Sequence, residues 1–116
     1  MLIRFMAENI LSYNKRMEFA MLPGKVRRMK NHLINAGDIK LLKCGVIYGA
    51  NASGKSNLIK AVKFSSDIIT KGLENINTFN KHFRLDEERK EAPSIFEYEI
   101  LLNNKVYSYG FAVAGL

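Results

Sequence analysis

Glutamine is absent from this 116-residue chain, and there are only one cysteine, two prolines and two histidines. A lone Cys44 closes no internal disulfide. Standing at the head of the apolar run 44–48, it is expected as a packed thiol in a reducing compartment. His32 and His82, with no second cysteine, are too few ligands for a zinc site. No apolar run approaches the roughly 18 residues that a membrane helix needs. Arg4 and Glu8 interrupt the first apolar segment, so no signal-peptide core is visible there. These absences lead to the expectation of a cytoplasmic chain without a membrane partner.

Acidic residues are scarce in the first part of the chain. Residues 1–72 carry thirteen Lys/Arg against four Asp/Glu, a net of +9, whereas residues 73–116 carry five against seven, a net of −2. Much of the excess lies in Lys15-Arg16 and in the cluster Lys25, Arg27, Arg28 and Lys30. Such a cluster fits either phosphate contacts to DNA or RNA or a solvated loop. No aromatic residue is interleaved to stack a base, which favours the loop.

What the chain does have is Gly49-Ala50-Asn51-Ala52-Ser53-Gly54-Lys55-Ser56, a match to G-x-x-x-x-G-K-[ST], the Walker A pattern. With glycine near 7% of average usage, four fixed positions match by chance in a chain this short with a probability below about 1%. The flanks agree as well. Leu41 to Tyr48 reads as a buried central strand, and Asn57 to Lys71 as an amphipathic helix with Leu58, Ala61, Val62, Ser65, Ile68 and Ile69 on one face and Gly72 as its C-cap. Strand, glycine loop and helix form the context in which backbone N–H groups and a helix N-terminus cradle phosphates. Lys55 is then placed for the β- and γ-phosphates and Ser56 for Mg²⁺, with Asn57 beside them. ATP and Mg are the ligands expected.

Hairpins bracket this unit. Leu2 to Ile10 alternates, with Ile3, Phe5 and Ala7 on one face and Arg4, Met6 and Glu8 on the other. Ser12 to Lys15 supplies a turn, and Arg16 to Met21 a return strand with Met17 and Phe19 inward. Pro23-Gly24 breaks the pattern, and residues 24–40 are expected to be irregular, with one helical turn around Lys30 to Ile34. Residues 73–94 show no strong period. Ser94 to Leu102 then places Phe96, Tyr98, Ile100 and Leu102 on one face, Asn103-Asn104 makes a tight turn, and Tyr107, Tyr109, Phe111 and Val113 form the core face of a return strand. The aromatic faces are expected in the core.

The parts that hydrolysis needs are harder to find. Among acidic residues the only Asp-Glu pair, Asp86-Glu87, follows His82-Phe83-Arg84-Leu85, too polar for a buried strand, so a solvated loop is expected there instead of a metal-site acid. The guanine-reading N-K-x-D pattern is missing: Asn14-Lys15, Asn80-Lys81 and Asn104-Lys105 are followed at the fourth position by Met17, Phe83 and Tyr107.

The segment 2–13 resembles the first strand and turn of the ABC-type ATPases that include RecF and the structural-maintenance-of-chromosomes (SMC) proteins. The phrase 47–61, with Phe83-Arg84-Leu85, Pro93 to Glu97 and Tyr107 to Phe111, is similar to a bacterial branch of that group, the RecF- and OLD-like AAA-family ATPases often associated with phage defence. The resemblance implies an α/β P-loop NTPase of the ABC-type head class. Residues 1–116 would be the N-terminal part of one such domain: a β-hairpin, the P-loop strand and helix, and an antiparallel β-hairpin. The family's glutamine loop, signature motif and acidic catalytic strand have no counterpart in these residues. The resemblance also implies ATP bound between two heads, as in a homodimer, with Asn9, Ser12 and Tyr13 near adenine or ribose. DNA or RNA and a nuclease effector are the other partners it implies. On this reading no catalytic residue is assigned, and the chain alone is expected to bind ATP without efficient hydrolysis. A non-catalytic nucleotide-sensing or assembly module is the alternative.

Overall fold

The computed structural model describes residues 1–24, 31, 33–49, 54–78 and 81–115. The first alternating segment forms β1 (Leu2–Glu8), which turns back into β2 (Met17–Ala20). A second, separate hairpin follows, β3 (Leu33–Ala36) and β4 (Ile39–Leu42), then the helix α1 (Lys55–Lys71). A 3-10 turn (Leu73–Asn75) and the one-turn helix α2 (Glu88–Glu91) lead to β5 (Ser94–Leu102) and β6 (Lys105–Val113). The main sheet is antiparallel throughout, in the order β2-β1-β5-β6.

Both outer hairpins form as the sequence pattern predicts. Asn103 and Asn104 take φ of 52° and 61° between Leu102 and Lys105, the pair of positive angles that a two-residue hairpin turn needs. In β1 the face carrying Ile3, Phe5 and Ala7 is buried, and the register sets Phe5 opposite Tyr98 and Ala7 opposite Phe96. α1 lies on this face: Phe5, Ala7, Ile10, Leu58, Ala61, Phe96 and Val113 form one core cluster. Phe96 stacks at tilted angles with Phe64 of α1 and Phe111 of β6, at centroid distances of 6.1 and 5.3 Å. Ser65 is fully buried at the helix–sheet seam, where its hydroxyl meets the Ala61 carbonyl at 2.9 Å and the Tyr98 hydroxyl. Burial pushes the Tyr98 phenol pKa up, against a smaller lowering effect of the Ser65 hydrogen bond.

The opposite face of the sheet is polar. Arg4 bridges Glu18 and Glu99 at 3.2 and 3.0 Å, and Arg16 meets Glu97 at 2.8 Å. Exposed pairs of this kind contribute about 0–1 kcal/mol each. Met6, on this face, is nevertheless buried, because the Arg16 guanidinium lies against its sulfur while pairing with Glu97 across the strand.

Four expectations are corrected. Residues 44–49 form no strand: Val46 and Tyr48 are 82% and 91% exposed, and β4 stops at Leu42. A central strand draws its stability from ladders on both sides and cover on both faces, and every described strand is committed to an antiparallel pair elsewhere. Cys44, at the head of this run, is accordingly exposed and not packed. Residues 33–42 are a hairpin, because Gly37-Asp38 forms a two-residue turn with Gly37 at φ 63°. Of the helical turn expected around Lys30 to Ile34, Asn31 is in 3-10 helical conformation, whereas Leu33 and Ile34 are strand; residues 25–30 and 32 lie outside the described residues.

The fourth correction concerns the rim of the core. Tyr107 and Tyr109 are about half exposed and Ile69 is 46% exposed, because the core cluster reaches Phe111, Val113 and Ile68 and stops short of them. Replacing Phe96 by Ala should cost about 3–5 kcal/mol, whereas Ile69→Ala should cost less than about 1 kcal/mol. Urea titrations of the two variants check this, since a comparable midpoint loss in both would return Ile69 to the core.

Candidate functional site

The end of β1 turns a sharp corner. Asn9 and Leu11 both take positive φ, 53° and 51°, and Ile10 and Tyr13 exchange backbone hydrogen bonds of 3.1 and 2.8 Å. Positive φ is costly for a leucine and persists only where the surroundings hold it. They do so here: the Leu11 N–H donates to the Lys81 carbonyl at 2.8 Å.

This corner delivers Ser12 and Tyr13 to the start of α1. The Tyr13 hydroxyl donates to the Gly54 carbonyl at 2.9 Å, and that carbonyl also accepts from Asn57 N–H at 3.0 Å and Leu58 N–H at 3.3 Å. Gly54 is the N-cap of α1, with φ 90° and ψ 0°. A Cβ at Gly54 would stand 3.2 Å from the Ser12 hydroxyl oxygen, so both backbone angle and space call for glycine there. Burial raises the pKa of the Tyr13 phenol.

Lys55 opens the helix and folds back so that its ammonium donates to the Gly49 carbonyl, spanning the ends of the glycine loop. Ser56 follows, exposed. The first turn carries no acidic residue, so the partial positive charge of the helix N-terminus is not offset by a side chain of its own turn. An anion with several oxygens suits this arrangement. Lys55, the backbone N–H groups at the helix start and the Ser56 hydroxyl are the groups that would meet a triphosphate and its Mg²⁺. Ala50, Asn51, Ala52 and Ser53 lie outside the described residues.

The structure therefore brings Gly49, Gly54, Lys55, Asn57, Ser12 and Tyr13 together, and treats Asn9 differently. Asn9 is fully buried: its amide nitrogen faces the carbonyls of Arg89, Ala92 and Pro93 at 2.8, 3.0 and 3.4 Å, and its oxygen accepts the Phe83 N–H at 3.1 Å. In this arrangement its side chain ties chain to chain and is out of reach of a ligand. Asp86 also has a local role, its carboxylate accepting the Glu88 N–H at 3.1 Å at the start of α2, as a loop acid does. Among the described residues no cluster of three or more His, Cys, Asp or Glu could hold a metal. The cluster Lys25, Arg27, Arg28 and Lys30 lies outside the described residues.

Sequence reasoning missed Arg89. Its guanidinium meets the Asn14 oxygen at 2.7 Å and the Glu8 carboxylate at 3.2 Å, so it braces both sides of the Asn9 corner. Nothing local marks it, since its partners lie about 75–81 positions away. The segment 81–85 carries part of the family resemblance, but its link to the corner through the Lys81 carbonyl and the Phe83 N–H has no local sequence signal.

A mixed α/β chain with a glycine-bounded loop running into an acid-free, Lys-Ser helix start is a P-loop nucleotide-binding protein of ATPase-like class. Residues 45–114 match the family described as "AAA domain, putative AbiEii toxin, Type IV TA system". The chain belongs to that AAA-domain family. Comparison with the curated proteins and with the solved structures gives no match. No helix among the described residues is long and apolar enough to cross a membrane.

The raised Tyr13 pKa fixes a direction in pH. A folded-state pKa above the unfolded value of 10 means that the native chain holds the phenolic proton more tightly. The stability this contributes is complete below pH 10 and is lost as pH rises beyond it. Tyr98 works in the same sense. Thermal melts of the wild type should fall in Tm above pH 10, and the fall should be shallower in Tyr13→Phe; an unchanged slope in that variant would count against a buried Tyr13 phenol.

Proposed function

We propose that the chain binds Mg-ATP through residues Gly49 to Asn57, as the N-terminal half of an ATP-hydrolysing head of the RecF/OLD/SMC-like kind. The observation that carries this reading is the convergence at one helix N-terminus of Lys55, Ser56, a conformationally obligatory Gly54 and the Ser12–Tyr13 corner. With nucleotide bound, the Lys55 ammonium would exchange the Gly49 carbonyl for phosphate oxygens, and the Ser56 hydroxyl would hold Mg²⁺, which would supply neutralisation of the phosphate charge.

Hydrolysis in this reading needs a second head, in a homodimer that closes on the nucleotide, and the acidic and water-orienting groups that residues 1–116 do not offer. DNA-associated or phage-defence activity, a DNA or RNA partner and a nuclease effector belong to the same proposal and rest on the resemblance of segments 2–13 and 47–61, and a cytoplasmic location rests on the lone cysteine, Cys44. The alternative, a module in which ATP binding sets an assembly interface without turnover, draws support from the local capping role of Asp86.

Calorimetry of Mg-ATP binding tests the core of the reading. Hydrogen bonds to charged groups contribute roughly 1.5–3 kcal/mol, and each 1.4 kcal/mol is tenfold, so Lys55→Ala should weaken binding by about tenfold or more. Equal affinity in wild type and variant would remove Lys55 from the site. The purified chain should also turn ATP over far below the enzyme median of about 10 s⁻¹; a rate near that median would make Asp86 and Glu87 the next residues to substitute.

A further inference from the structure

The second and third turns of α1 wall a recess of about 410 Å³, whose lining includes Leu11, Lys60, Lys63, Phe64, Ile76 and Lys81. We propose that this recess is a second ligand site, which takes a small organic anion with a flat apolar body and one carboxylate group. The proposal stands apart from the phosphate-binding reading. Lys60 to Asp67 lie about 8–18 Å along the helix axis from Lys55, at 1.5 Å per residue. Ser12, Tyr13 and Asn57 take no part in the lining.

Three observations carry it. The first is unbalanced charge. Three ammonium groups, from Lys60, Lys63 and Lys81, stand around the recess with one carboxylate, Asp67. That carboxylate already accepts from both Lys63 and Lys71, at 2.9 Å each. Among the described residues Lys60 and Lys81 form no ion pair. The Lys81 ammonium instead lies 6.0 Å from the centroid of the Phe64 ring. A cation–π contact of that length is weaker than a charge-assisted hydrogen bond, so an anion entering the recess draws Lys81 to itself.

The second is the floor. Leu11, Phe64 and Ile76 offer apolar surface between the ammonium groups. A bare anion would leave that surface against water, and a neutral ring would leave the ammonium groups without a partner. A flat apolar body with one anionic group uses both, in a recess of the size that small-molecule sites have.

The third is preorganisation. Lys60, Lys63, Phe64 and Asp67 share one side of α1 by their three- and four-residue spacing. Phe64 is held against Phe96 at 6.1 Å between centroids. Gly72 ends the helix with its N–H on the Ile68 carbonyl at 3.0 Å, and the Asn75 amide donates to the Lys71 carbonyl at 2.7 Å, which turns Ile76 back toward the recess. On the far wall the Lys81 carbonyl accepts the Leu11 N–H at 2.8 Å. Walls fixed before binding leave less to be ordered by the ligand.

Calorimetry on the whole chain tests the proposal with three probes: naphthoate, the neutral naphthalenemethanol and inorganic phosphate. Wild type should bind naphthoate at one site and each of the other two about tenfold or more weakly, the factor that a hydrogen bond between charged groups supplies. The double variant Lys60→Gln, Lys81→Gln should weaken naphthoate by about tenfold or more, and Ile76→Ser several-fold. Added salt should weaken naphthoate more in wild type than in the double variant. Lys55→Ala should leave naphthoate affinity unchanged. If the double variant fails to fold by circular dichroism, Lys60→Gln, at an exposed helical position, decides alone with a several-fold loss. Naphthoate affinity kept within twofold in the folded lysine variants overturns the proposal, as does a wild type that binds naphthalenemethanol or phosphate equally well, or no probe at all. A loss in Lys55→Ala with none in the lysine variants of the recess would put the probe at the helix start; that too overturns the second site and leaves the phosphate site standing.

Discussion

The buried amide of Asn9 is the point on which the rest of this structure turns. It joins the end of β1 to Phe83 and to the carbonyls of residues 89, 92 and 93. The Ser94 hydroxyl in turn donates to the Asn9 carbonyl, so the start of β5 is tied to the same residue. Each of these groups, if left buried without a partner, would cost about 1–3 kcal/mol. The positive φ of Asn9 is tolerable because asparagine adopts it more readily than most residues. With that corner held, Tyr13 can reach Gly54 and the helix start acquires its shape.

Coupling of this kind explains how a small sheet can position α1 without a strand immediately before Gly49. α1 is fixed from below by Leu58, Ala61 and Ser65 against the sheet, and at its N-terminus by the Tyr13 hydroxyl. The loop ends are linked by Lys55 to Gly49. The helix is thereby placed by side-chain packing and one phenolic hydrogen bond, while residues 44–49 remain in solvent contact.

How far the sequence foretells this depends on the range of the interaction. The β1–β2 and β5–β6 hairpins were legible because alternation and turn residues are local signals: Phe5, Ala7 and Phe96 face the core, and Asn103-Asn104 turns the chain. The Gly49–Ser56 motif was legible because its chemistry requires a fixed spacing. Residues 44–48 misled because an apolar run records a capacity to be buried, and burial depends on what stands beside it. Gly37-Asp38 reads as easily as loop as it does as turn, and only pairing of Leu33–Ala36 with Ile39–Leu42 decides. The bracing roles of Asn9 and Arg89 were opaque because their partners are backbone groups or residues some 75–85 positions away.

β6 pairs with β5 on one side, and in the sheet order it stands at the rim. Its outer edge presents nine residues of backbone, with Val106, Tyr107 and Tyr109 about half exposed beside it. Such an edge is a template for another strand, and natural sheets blunt it with charge or proline; here Lys105 is the one charged residue and there is no proline. The formal charge of +7 on the whole chain provides the remaining opposition, since like-charged molecules repel before their edges meet. Salt shortens the range of that repulsion to about 8 Å near physiological strength and leaves the hydrogen-bonding edge intact. The colloidal behaviour of the chain is therefore set by ionic strength, with dilute buffer favouring the separate molecule.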